Sequence, residues 1–154
     1  MTTEEPMAKL EIKKGPDDEV TAGGLRVVAC RREVGTIDGG ISVYVWGQEA
    51  GQDVELVRMD LFRTRPHYHA PAERQEETVI PAADSVAWGI EALTTRASEL
   101  AGEAGFAEVG EALDTEALGA AGPLLLDLFG RLEEPNEVSY FEIPQFVLDE
   151  LAAG

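Results

Sequence analysis

The chain has 154 residues, 44% of them hydrophobic, with 12 Lys and Arg against 30 Asp and Glu for a formal charge of -18. That is enough apolar material for one compact soluble domain with a real core, and it excludes a disordered or fibrous chain. The charge also excludes nucleic acid and an anionic membrane surface as bulk partners, because a polyanion is bound through a basic footprint.

In chain order, residues 1–24 read as a partly flexible N-terminal segment. Met1–Pro6 is acidic and polar, without the basic flank and apolar run of a secretory signal, which predicts a cytoplasmic location. Leu10–Lys13 alternates weakly before Gly15-Pro16-Asp17, an optional first strand and a turn. Leu25–Arg32 is rich in strand formers, and Ile41–Trp46 alternates with period two, with Asp38-Gly39-Gly40 as the intervening turn. Gly47–Gln52 reads as a second loop and Val54–Arg63 as a third strand, so residues 25–74 form a β-rich part, an antiparallel meander on its short connections. Cys30, the only cysteine, excludes an internal disulfide and a Cys-based zinc cluster within one chain.

From Pro81 the period becomes helical. Val86, Ile90, Leu93, Ala97, Leu100 and Ala104 make one apolar stripe, with Asp84 or Ser85 as N-cap and Gly105 as stop. Asp114 or Thr115 opens a second helical region, which Gly122-Pro123 should kink or split, and Pro144 starts a last helix after an edge strand over Val138–Ile143. The most apolar stretch, Leu118–Phe129, carries Pro123 and Asp127 and is too short to span a bilayer. The fold class is therefore α+β, a single domain over 1–154: an antiparallel β-meander of three to five strands followed by two or three helices in an acidic part, 82–154, packed on one face.

The charge is unevenly spread. Leu25–Arg74 holds seven basic and seven acidic residues, whereas Gln75–Gly154 sets only Arg96 and Arg131 against 17 acids. Both histidines lie in the neutral part, in Pro66-His67-Tyr68-His69-Ala70-Pro71. On an extended backbone His67 and His69 point the same way and Tyr68 the other. With Glu73 four residues on, two imidazoles and a carboxylate are a ligand set for a divalent metal, Zn or Mn. The His-x-His-x-x-x-Glu spacing resembles the first motif of cupin barrels, but Leu61 and Ile80 stand where that motif has glycines, and the helical second half excludes the cupin fold.

The same parity puts Arg63 and Arg65 beside the histidines, with Arg74 close in sequence, so a small anionic ligand is the other candidate, its guanidinium partners supplied by these arginines. Pairing of those arginines with acidic helices would explain the charge split without a ligand. Leu56, Arg58, Asp60 and Phe62 share the opposite parity, as Ser42, Tyr44 and Trp46 do on their strand. Arg58, Asp60 and Tyr68 join the candidate ligand-binding residues, and a face carrying Tyr44, Trp46 and Phe62 could make a homodimer.

The run Arg58-Met59-Asp60-Leu61-Phe62 followed, after Arg63-Thr64-Arg65, by Pro66-His67-Tyr68-His69 resembles the hallmark of an uncharacterised family of small prokaryotic domains. The resemblance implies no activity. Phosphate-binding glycine loops and nucleophile elbows are absent from the sequence. The reading is a binding or interaction domain, not evidently an enzyme, with a metal or anion site at Pro-His-Tyr-His. The alternatives are a non-catalytic homo-oligomeric or partner-binding domain with structural histidines, and metal-dependent hydrolytic or redox catalysis, which needs an open coordination position as well.

Overall fold

The computed structural model describes residues 6–153. The expectations for Met1–Glu5 and Gly154 lie outside them. The strands are β1 (Met7–Lys14), β2 (Asp18–Ala22), β3 (Leu25–Val34), β4 (Asp38–Glu49), β5 (Gln52–Phe62), β6 (His67–His69), β7 (Thr78–Val79) and β8 (Glu137–Pro144). The helices are α1 (Ser85–Thr95), α2 (Ala97–Glu103), α3 (Ala107–Glu111), α4 (Thr115–Gly119), α5 (Gly122–Gly130) and α6 (Gln145–Ala152). The fold is α+β, one antiparallel sheet with helices after it, in the order β7-β6-β5-β4-β3-β1-β8 with β2 paired to β3.

The sheet is larger than the expected three to five strands, and the helical part is cut into more pieces than two or three. The segment read as partly flexible supplies β1 and β2, and β1 is the partner of β8, which closes the far edge. The expected turn at Asp38-Gly39-Gly40 is displaced: those residues belong to β4, and the chain reverses at Gly35–Ile37 instead, where Gly35 has φ 54°. Gly47–Gln52 is no loop either, because β4 and β5 run on to a two-residue turn, Ala50-Gly51, with φ 51° and 81°. Two positive φ values are what a primed hairpin turn requires.

The helical breaks follow local chemistry. Asp84 caps α1 by accepting the Ala87 amide at 3.0 Å, and Asp114 caps α4 in the same way on Ala117 at 3.0 Å. Arg96 leaves helical geometry between α1 and α2, and Gly105, at φ 88°, follows α2. Pro123 sits in the first turn of α5, so the Gly122-Pro123 break separates α4 from α5 as expected.

Alternation puts Val43, Val45, Val57, Met59 and Leu61 on the helix side, where they meet Leu93, Leu100, Leu125 and Leu128 in one core. Gly89 lets α1 approach closely: a Cβ there would lie 2.7 Å from Leu61 Cδ1. Leu56 departs from its expected face. The β4–β5 register slips between Val45 and Trp46, so Trp46 faces Glu55, Leu56 is left without a partner, and its side chain is buried in the core. Among the described residues no helix is long and apolar enough to cross a membrane.

Candidate metal centre

Register assembles the site on the sheet face away from the core. Ser42 lies opposite Asp60, and Asp60 opposite His67; in the next row Tyr44 lies opposite Arg58, and Arg58 opposite His69. Residues directly opposite share a face, so β4, β5 and β6 bring Ser42, Asp60, His67 and His69 together. Asp60, His67 and His69 each offer one ligand atom, and these atoms lie within 4.8 Å of one another.

Each side chain is held by a second contact. Ser42 Oγ donates to Asp60 Oδ1 at 2.8 Å, and Asp60 Oδ2 lies 3.0 Å from His67 Nε2. His67 Nδ1 lies 2.8 Å from the Arg65 carbonyl, and His69 Nδ1 lies 2.6 Å from the Arg74 carbonyl and 3.2 Å from that of Glu76. A carbonyl oxygen can only accept a hydrogen bond, so both rings donate through Nδ1–H, and Nε2 is the nitrogen turned toward the cluster. The rings stand 5.2 Å apart at 89°, and His67 packs edge-on to Phe62 at 6.2 Å.

Loops at both ends fix this strand pair. Asp38, buried, accepts the amides of Gly39 at 2.8 Å, Thr64 at 3.0 Å and Arg65 at 2.8 Å, which ties the 63–66 turn to the start of β4. Beyond β6 the chain turns at Pro71–Arg74 and delivers the carbonyls that hold His69, and Glu77 Oε1 comes within 3.5 Å of His67 Nε2.

His67 and Asp60 perturb each other. Burial disfavours the charge on His67 most, but the Asp60 hydrogen bond, the Arg65 carbonyl and the Asp60 and Glu77 charges together raise its pKa above the ordinary histidine value. Burial likewise opposes the Asp60 charge, and the bonds from His67 and Ser42 with the charges of His67 and Arg32 outweigh it, holding the carboxyl below the usual aspartate range. Each of the two thus favours the charged form of the other across their 3.0 Å contact.

The expected site residues are sorted by these contacts. Glu73 is exposed and is not among the clustered ligand atoms; the carboxylate of the cluster is that of Asp60, on the neighbouring strand directly opposite His67. Tyr68 does not join the site. It points into the core, stacks on Trp88 at 5.6 Å, and donates its hydroxyl to Glu103 at 2.8 Å. Arg63 forms two bonds to Glu33, Arg74 pairs with Glu76, and Arg58 pairs with Glu55 while lying over Tyr44. Trp46 lies half-buried under Arg26, and Phe62 is buried. Exposed large apolar side chains include Val138, Tyr140 and Phe141 on β8, Phe146 on α6 and Val79 on β7.

Ser42, Asp38 and Glu77 carry no signal as site residues in the linear sequence, since all three act through cross-strand or loop contacts. A cleft of about 650 Å³ lies between Arg31, Arg63 and the start of α1 and is lined by none of Asp60, His67 and His69. A second cleft of about 410 Å³ is lined by Arg65, His67 and Glu77, and its chemistry makes it the relevant one.

Residues 19–123 match the family model described as Domain of unknown function (DUF7700), more than half of the chain, and the chain belongs to that family. The matched span contains Asp60, His67 and His69 and leaves out β1, β8 and α6. No curated protein and no solved structure matches the chain.

Proposed function

We propose that this domain binds a divalent transition metal, Zn or Mn, through Asp60, His67 and His69, and works as a metal-centred binding domain. The observation that supports it is the convergence of three ligand atoms within 4.8 Å, with each imidazole Nδ1 committed to a backbone carbonyl. Metal-ligating histidines are typically fixed this way, through the nitrogen that does not bind, and the Ser42 bond to Asp60 orients the carboxylate in the same sense. Two nitrogens and one oxygen suit Zn or Mn and leave coordination positions open.

One observation favours a second reading. Both nitrogens of His67 already face acceptors, so a protonated His67 would pin β6 to β5 as a structural ion pair, in a domain whose binding surface lies elsewhere. Elemental analysis of untagged, chelator-free protein beside the His67→Ala/His69→Ala variant separates the two. The metal reading expects near-stoichiometric Zn or Mn in the wild type alone. At 100 times the dissociation constant the bound metal adds about 2.7 kcal/mol of stability. In a chain of this size that raises the melting temperature by roughly 5–10 °C. Absence of both effects leaves the structural reading.

A further inference from the structure

The chain has nine arginines and an excess of acid, and nearly every guanidinium has found a partner. Arg26, Arg31, Arg58, Arg63, Arg74 and Arg131 pair with carboxylates, and Arg96 lies over Trp88. Among the described residues Arg32 and Arg65 have neither kind of partner. Arg32 sits on the open sheet face, in the register row next to Asp60. Arg65 stands two residues before His67 and lines the 410 Å³ cleft with it.

The root of Arg65 is fixed. Its amide donates to Asp38 at 2.8 Å, and its carbonyl accepts from His67 Nδ1 at 2.8 Å. An exposed guanidinium in so acidic a chain, left without a carboxylate and anchored beside a metal-ligating histidine, is placed to meet an anion that comes from outside. Arg63, in the same cleft, is already satisfied by its two bonds to Glu33. Glu77 is the cleft's own negative charge, 3.5 Å from His67 Nε2, and repels an incoming anion until a metal offsets it. Val79, Ile80 and Ala82 wall the cleft and keep it small.

Resting on the metal reading above, we propose that the cleft binds a small oxyanion, carboxylate or phosphate, that ligates the metal with one oxygen and meets the Arg65 guanidinium with another. Three protein ligands leave the metal positions for it. The sequence alternatives of a metal site or an anion site then become one composite site.

The test uses the Mn-loaded full chain, titrated calorimetrically with inorganic phosphate and, separately, with malonate. Elemental analysis first establishes the metal content of the wild type and of Arg65→Gln, a surface variant outside the ligand set. At least one of the two anions is expected to bind the Mn form. Binding should weaken about 10-fold or more in Arg65→Gln, the loss expected for a charge-assisted contact. It should weaken similarly in the chelated wild type, and which anion binds identifies the source. Equal affinity in Arg65→Gln at equal metal content, or no binding of either anion to the Mn form, overturns this inference alone. A wild type that takes up no metal overturns the metal reading and this one with it.

Discussion

Replacing Asp60 by asparagine in chelated protein keeps the shape of the side chain and removes the charge that His67 faces. Asp60 and His67 side chains are 10% and 12% exposed, so solvent screens the pair little. Losing a hydrogen bond to a charged partner there costs about 2 kcal/mol, or roughly 4–8 °C in melting temperature. The cost depends on pH in a definite direction. The folded-state pKa of His67 is raised, so its contribution is fully present below the unfolded value near 6.5 and is lost as pH rises through the higher folded value. The folded-state pKa of Asp60 is lowered, so its contribution is present above 3.8 and is lost only as pH falls through the lower folded value. Urea denaturation of wild type and Asp60→Asn should therefore differ most near pH 5.5 and converge toward pH 9. A difference of equal size at both pH values would refute the ion-pair account and leave only packing.

Removing His69 should abolish metal uptake while Glu73→Ala leaves it unchanged, since Glu73 is not among the clustered ligand atoms; equilibrium dialysis with Zn reads both. Asp38→Ala strands three amide donors and should cost about 2–3 kcal/mol, with faster hydrogen exchange at Thr64 and Arg65 as its local signature. Tyr68→Phe loses only the bond to Glu103 and should cost about 1 kcal/mol, with metal affinity unaltered, as denaturation and dialysis would show.

Elements governed by neighbouring residues were legible in the sequence, and those governed by register were not. Asp84 and Asp114 announce their helices because a cap acts three residues ahead, and Pro144 marks the start of α6 through its own fixed φ, without a side-chain cap bond. The shared side of His67 and His69 follows from strand parity. That Asp60 meets His67 depends on how β5 and β6 pair across the 63–66 turn, which no residue pattern encodes directly. Leu56 escapes strand parity because a bulge interrupts the period on which face assignments rest. Glu73 has ligand spacing in the sequence, but the chain turns at Pro71–Arg74 and Glu73 is not among the clustered ligand atoms. The fate of each arginine was likewise hidden: Arg63 finds Glu33 from another strand, and Arg65 two residues later finds no acid.

All three lysines of the chain, Lys9, Lys13 and Lys14, lie on β1. Four strand intervals separate β1 from β6, about 19 Å at the usual spacing. Apart from the terminal amine, amine-reactive reagents can therefore modify this protein only along one ribbon, remote from Asp60, His67 and His69. A fluorophore or a solid support coupled through lysine would hold every molecule by that ribbon, four strands away from the histidines.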